Sequence, residues 1–277
     1  MTSFPEFCVQ DVGVQLLTSS DEIADSDQHT YDYIIVGGGT SGSVLASRLS
    51  EDPHTSVLLL EKGPLADSWT SRIPLIGGKP SSKDYLGVAW QSVPQPNINN
   101  RSVSIMRGEA LGGASRINGT LYTRGTPGDY NRWEALGNTG WGYKDLEPYF
   151  VKSERTETHQ ESEFRGKDGL WKNKKVETPS GPPYNIIVDS RSRRQSTYAS
   201  FIPPEVAQAR RERLKVCTRA LVKRVQLDDL SGGVRATGVV FESMDPEQDA
   251  GQEFFAKARS EVIVCAGALV SPQVLML

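Results

Sequence analysis

Apolar residues in this chain fall into short blocks whose spacing changes abruptly. Tyr31-Asp-Tyr-Ile-Ile-Val36 is β-branched and apolar, and it runs straight into Gly37-Gly-Gly-Thr-Ser-Gly42. Ser43-Val-Leu-Ala-Ser-Arg-Leu-Ser50 follows, with Val44, Leu45 and Leu49 at helical spacing. After the turn signal Asp52-Pro-His, a second apolar strand, Val57-Leu-Leu-Leu60, ends in Glu61. The order predicts strand, glycine turn, helix, strand: a βαβ unit of about thirty residues. Further along, Asp145 to Phe150 reads as a helix and Leu214 to Val225 as one alternating strand. The acidic loop Asp245 to Gly251 reads as a hairpin connection between Thr237-Gly-Val-Val-Phe241 and a strand over Ser260 to Gly267. Ser19 to Thr30 is polar and acidic, so residues 1–30 are expected to form a polar tail and the folded part to start near Tyr31.

The glycines Gly37, Gly39 and Gly42 stand in the order G-x-G-x-x-G, between a strand and a helix. Gly37 permits a tight turn, Gly39 lets backbone approach a pyrophosphate, and Gly42 lets the helix pack closely on the strand. The helix N-terminus then presents free N–H groups and a positive dipole end to phosphate. Glu61 lies nineteen residues after Gly42, where a carboxylate can accept ribose hydroxyls and repel a 2′-phosphate. FAD or NAD is therefore expected over NADP.

Composition narrows the partners. The 277 residues are 37% hydrophobic and 23% charged, an ordinary globular balance. A net charge of -3 supplies no global field for nucleic acid or an anionic membrane, so neither is an expected partner. Ten Lys/Arg against two Glu lie between Arg191 and Arg224, but without interleaved aromatics they read as a solvated helix and strand edge. Cys8, Cys217 and Cys265 lack CxxC spacing, so neither a disulfide framework nor a metal site is expected. The N-terminus has no basic stretch ahead of an apolar core, and no apolar run approaches the ~20 residues of a membrane helix. A cytoplasmic location is expected. The sequence carries no sign of oligomeric state.

A second glycine-rich segment chooses between the cofactors: Arg107-Gly-Glu-Ala-Leu-Gly-Gly-Ala-Ser-Arg-Ile-Asn-Gly-Thr-Leu-Tyr-Thr-Arg-Gly125. It resembles the pattern R-G-x-x-L-G-G-S-S-x-x-N-G-x-x-Y-x-R-G of the glucose-methanol-choline (GMC) oxidoreductases, FAD-dependent alcohol oxidases and dehydrogenases. Ala114 departs where Gly, Ser or Thr is usual, and Glu109 where Lys, Arg or Asn is usual. The resemblance continues through Asp129-Tyr-Asn-Arg-Trp-Glu, Gly140-Trp-Gly-Tyr and Ser196-Thr-Tyr-Ala199. It then reaches Gly267 to Leu277, which is similar to the first part of the family's second signature.

The fold it implies is α/β, a Rossmann-like FAD-binding domain of GMC type with an incomplete substrate domain. Residues 31–125 and 191–277 would be two parts of the FAD-binding domain, and 126–190 part of the substrate domain. By the same resemblance, Thr40 and Ser41 would meet the pyrophosphate and Glu61 the ribose, with Lys62 beside it. Ala114, Ser115, Asn118, Gly119, Thr120 and Leu121 would face the flavin and ribityl side. Val222 would offer backbone to adenine or, equally, serve as plain strand core. Trp90 reads as an ordinary buried tryptophan rather than a cofactor contact. Some family members attach FAD covalently through a histidine two positions before the loop arginine. Here that position is Ile105, so noncovalent FAD is expected.

Oxidising an alcohol at a flavin needs a base beside the carbinol. The family's base is a histidine near the C-terminus, whereas His29, His54 and His159 match no family position and read as surface residues. The chain ends before the second signature's Ser-Gly-x-Gly, and the region between Lys175 and Asp189 is shorter than usual. The implied function is thus oxidation of CH–OH groups of a small-molecule alcohol, carried here by a truncated N-terminal portion that lacks the catalytic residue. Strands such as Val262 to Ala266 are then expected to lack partners. A noncatalytic FAD-binding remnant and an NAD-dependent dehydrogenase stand as alternatives.

Overall fold

The computed structural model describes residues 3–16, 29–74, 87–158, 162–179, 181–230, 233–245 and 251–277. In chain order the elements are α1 (Val9–Val12), β1 (Val14–Gln15), β2 (Thr30–Val36), α2 (Thr40–Leu49), β3 (Val57–Leu60), β4 (Gly87–Gln91), β5 (Ser104–Gly108), β6 (Leu121–Tyr122), α3 (Pro127–Ala135) and α4 (Tyr143–Ser153). They continue as β7 (Glu154–Thr156), β8 (Trp171–Val176), β9 (Tyr184–Ile186), α5 (Thr197–Phe201), α6 (Pro204–Ala209), β10 (Leu214–Cys217), β11 (Ala220–Leu230), β12 (Gly233–Ser243), β13 (Glu253–Val264) and α7 (Gly267–Met276). Two units result. One gathers Met1–Asp67, Pro80–Ile117 and Thr197–Leu277; the other gathers Ser68–Lys79 and Asn118–Ser196. The divisions at 117/118 and 196/197 thus differ from the sequence-based ones at 125/126 and 190/191, and a short early segment joins the second unit.

The first unit is built on a sheet of order β10-β3-β2-β13-β12-β11. From β10 to β13 the pairing is parallel, and from β13 to β11 antiparallel. β3 is buried at every residue, as a central parallel strand covered on both faces must be. Successive side chains of β2 and β3 alternate between two cores. Ile34, Val36, Leu58 and Leu60 join Val222, Val239, Phe241 and Phe254, while Ile35, Val57 and Leu59 join Ala46, Leu111, Tyr198 and Ile202. Each such Ile or Leu, fully buried, contributes about 1.5–3 kcal/mol of transfer free energy.

Three expectations need correction. Residues 1–30 are not simply a polar tail: Val9 and Val12 are core, Val14 and Gln15 pair with Phe255 and Phe254, and the Phe7 N–H donates to Val216 O at 3.1 Å. The apolar residues of this segment are too scattered to signal an element, yet each finds a place on an edge or face supplied by distant strands. Leu214 to Val225 is two strands, broken where Arg219 takes φ 54°, because β10 pairs with β3 and β11 turns away to pair with β12. Val262 to Val264 do have partners, Ile34 to Val36, in the middle of the sheet. The hairpin between β12 and β13 forms, although residues 246–250 lie outside the described ones.

The second unit holds a sheet of order β6-β9-β8-β7 together with α3 and α4. Its centre is charged. Glu154 is fully buried, with Arg124 Nη2 and Arg165 Nε each 2.7 Å from its carboxylate, and the Tyr122 and Thr156 hydroxyls donating to it. Burial pushes the Glu154 carboxyl up. The hydrogen bonds from Thr156, Arg124 and Tyr122 and the charge of Arg165 outweigh that, so its pKa is held below the usual carboxylate range.

Candidate functional site

Among the described residues of the first unit, a cavity of about 340 Å³ opens at the carboxyl ends of β2, β3 and β13, where Val36, Leu60 and Cys265 line it. Its floor is the turn between β2 and α2. Gly37 has φ 101°, and a Cβ there would lie 2.6 Å from Cys265 O, so the left-handed turn excludes a side chain twice over. A Cβ at Gly42 would lie 2.0 Å from Gly37 O; this glycine serves the closure of α2 onto the turn and does not line the cavity. At Gly39 an added Cβ would meet Gly113 Cα at 3.9 Å and Cys265 O at 4.0 Å, ordinary contact without a clash. No side chain caps α2, and Gly39, Thr40 and Ser41 at its N-terminus line the cavity. Free N–H groups and the positive dipole end therefore face the open space.

Glu61 and Lys62, directly after β3, form one wall. The Glu61 carboxylate is held rigidly: Oε2 accepts from the Gly38 N–H and Oε1 from the Gly63 N–H, both at 2.8 Å. Burial raises its pKa above the ordinary value despite those two bonds. An ionised carboxylate has about four acceptor positions, so two remain for hydroxyl donors. β5 supplies another wall through Ile105, Met106, Arg107 and Gly108, with Gly113 and Ala114 beside it. Val222 lines the cavity while its side chain belongs to the core.

Other expected site residues are placed differently. The Ser115 hydroxyl donates to Gly112 O at 2.6 Å, accepts from the Thr197 N–H at 3.0 Å, and does not line the cavity. It ties the glycine-rich segment to α5. Asn118, Gly119, Thr120 and Leu121 belong to the second unit, where Asn118 Oδ1 accepts from Arg194 Nη1 at 2.8 Å. Trp90 is not buried as expected: it is half-exposed, with the Arg107 guanidinium 4.7 Å from its ring centre. In the basic stretch Arg191, Arg193, Arg211 and Arg219 are exposed as expected, whereas Arg210 and Arg213 are half-buried, Arg210 donating to Ser47 O at 2.7 Å and Arg213 to Ser50 O at 2.8 Å at the C-terminal end of α2.

Sequence reasoning did not include the wall made by Cys265 to Val270 and Val274. The second-signature resemblance of Gly267 to Leu277 was the signal that could have found it. His54 is exposed in its turn, where its N–H donates to Asp52 Oδ1, and His29 is half-buried beside β2; neither lines the cavity, and His159 lies outside the described residues. Among the described residues, no cluster of His, Cys, Asp or Glu could hold a metal ion, and no helix is long and apolar enough to cross a membrane.

The cavity's chemistry fits the ADP half of a dinucleotide: an uncapped helix N-terminus, a glycine lining the cavity, and a carboxylate at the next strand end. Comparison with known proteins gives the family. An oxygen-dependent choline dehydrogenase of Serratia proteamaculans is 35% identical over 281 residues, spanning 88% of this chain and 48% of that protein. The crystal structure of pyridoxine 4-oxidase from Mesorbium loti superposes with a TM-score of 0.76 at 25% identity, over 89% of this chain and 51% of that one. An FAD-dependent oxidoreductase from Chaetomium thermophilum gives 0.75 at 26%, over 88% and 47%. The chain thus spans about half the length of the relatives it matches. A GMC oxidoreductase family model matches residues 31–277, and by that match the chain belongs to the GMC oxidoreductase family.

Proposed function

We propose that the first unit binds FAD noncovalently and that the whole protein oxidises the CH–OH group of a small alcohol. The observation that carries the reading is an uncapped α2 N-terminus, with Gly39 lining the cavity, inside one cavity with Glu61. In this reading the N–H groups of Thr40 and Ser41 hold the pyrophosphate, and Glu61 accepts from the adenosine ribose while Gly38 and Gly63 keep it aimed. Ala114 and the β5 wall flank the flavin side, and Ser115 supports that wall from behind through Thr197. FAD, when bound, supplies the ring that accepts hydride. Ile105 lines the cavity where some family members place the attaching histidine, and its hydrocarbon side chain supports noncovalent retention.

The relatives' names point to alcohols of the choline kind, and a small-molecule substrate is proposed here without choosing among them. A noncatalytic, FAD-retaining portion is the second reading, favoured by the absence of histidine from the cavity lining among the described residues. An NAD-dependent activity is disfavoured by the glycine-rich wall of Gly113 and Ala114. A cytoplasmic setting is part of the proposal, supported by Cys8, Cys217 and Cys265 all being free thiols. The test is to purify the chain, record its visible spectrum, and titrate it with FAD. Flavin absorbance released by denaturation supports the noncovalent reading. Flavin that stays with the denatured chain refutes it, and failure to take up FAD refutes the cofactor assignment.

A further inference from the structure

The wall formed by Glu61 and Lys62 carries more charge than the dinucleotide reading uses. Lys62 Nζ lies 3.1 Å from Glu109 Oε2, and Arg107 Nη2 lies 3.7 Å from the same oxygen. Both cations line the cavity alongside Glu61, whereas Glu109 does not. The three side chains are only 17–33% exposed, so their charges are incompletely screened. Arg107 is further fixed by its stacking on Trp90. The backbone of Glu109 is pressed against the turn that carries Glu61 and Lys62: a Cβ at Gly63 would lie 2.2 Å from Glu109 O. Glu109 and Arg107 act on the Glu61 carboxyl in opposite senses, so the four groups are electrostatically coupled.

We propose that Glu109 is a specificity-determining residue: together with Glu61 it offsets the charges of Lys62 and Arg107 and keeps the cavity wall without net charge, so that the wall does not attract a 2′-phosphorylated nucleotide. Two carboxylates face two cations here, and the balance cancels. A 2′-phosphate carries a charge of about −1.5 to −2 near neutral pH. Against this wall, whose four charges cancel, it gains no net attraction. Loss of the Glu109 charge leaves the wall net positive and frees two cations that already line the cavity. One added unit charge near a partly buried phosphate changes the binding ratio on the order of tenfold. The proposal rests on the reading of this cavity as the site of the ADP half.

The experiment compares ADP-ribose with 2′-phospho-ADP-ribose, which differ only in the group at issue, by calorimetric titration of the 277-residue chain. The parent is expected to prefer ADP-ribose, and Glu109→Asp, which keeps the charge, to preserve that preference. Glu109→Gln is expected to narrow the ratio by about tenfold. Lys62→Met changes a partly exposed side chain and is expected to widen the ratio, which tests the same balance even if Glu109→Gln fails to fold. A merely structural role for Glu109 would weaken both ligands alike. ADP-ribose binding with a ratio unchanged to within about twofold in these variants overturns the role of Glu109 alone. No ADP-ribose binding by the parent overturns the dinucleotide reading, and this inference falls with it.

Discussion

Adding one methyl group at Gly39 and one at Gly42 is expected to have opposite consequences. At Gly42 the new Cβ would sit 2.0 Å from the carbonyl oxygen of Gly37, a backbone atom that no rotamer change can move. Relief requires α2 to lift from the turn, and the cost belongs at or beyond the top of the ~1–3 kcal/mol range for overpacking. With a melting shift of about 2–4 °C per kcal/mol for chains of this size class, Gly42→Ala is expected to melt roughly 6–12 °C below the parent. At Gly39 the nearest atoms are 3.9 Å away and φ is -72°, which alanine adopts freely. Loss of a glycine N-cap and loss of unfolded-state entropy nearly offset each other, within about 1 kcal/mol. The methyl fills instead the space proposed for pyrophosphate, so FAD affinity is expected to fall by at least about tenfold. Circular-dichroism melts and FAD titration of the two variants separate the effects. Gly39→Ala with parental FAD affinity would show that the phosphates lie elsewhere, and Gly42→Ala with a parental melt would refute the tight contact.

Glu61→Ala is expected to lose flavin and stability together, because the Gly38 and Gly63 N–H groups are left buried without an acceptor at about 1–3 kcal/mol each; a parental melt would contradict this. Glu154→Gln is expected to cost the second unit about 3–5 kcal/mol, read by denaturant titration with limited proteolysis, since Arg124 and Arg165 would share no anion. The folded-state pKa of Glu154 is depressed, so its stabilisation is present above the ordinary carboxylate pKa and is lost as pH falls through the lower, folded-state value. Melts at decreasing pH should therefore flatten in Glu154→Gln relative to the parent. Arg213→Ala removes the donor to Ser50 O and should lower the melting temperature by the equivalent of about 1 kcal/mol, with no change expected if that bond is immaterial. The purified chain loaded with FAD is expected to show no alcohol turnover, because loss of general-base help alone costs roughly 10²–10⁴-fold. Bleaching of the bound flavin by an alcohol under anaerobic conditions would overturn that.

What was legible in the sequence is what is local. The βαβ unit from Tyr31 to Glu61 is one continuous stretch whose spacing encodes its turn, and the glycines at 37 and 42 each have a steric task there. The N-terminal clamp was hidden because Val9, Val12 and Val14 have no periodic neighbours and gain their roles from β10 and β13, about two hundred residues away. The break at Arg219 was hidden because two consecutive strands with different partners look like one alternating run. Ser115 read as a ligand contact because its motif does not reveal that its hydroxyl donates to Gly112 O and accepts from the Thr197 N–H. Arg210 and Arg213 looked like surface charge because the carbonyls they cap belong to a helix some 160 residues earlier.

The central position of β13 has a consequence for synthesis. β2 leaves the ribosome well before one of its two neighbours, β13, which follows more than two hundred residues later, with Ile34 waiting for Val262. At about 5–20 residues per second that interval lasts on the order of 10–40 s. Throughout it, one long side of an apolar strand is exposed as a template for unwanted pairing. Production of this protein is therefore sensitive to chaperone supply and to the pace of translation before codon 253, and slowing elongation there should lower the soluble yield without altering any contact of the finished fold.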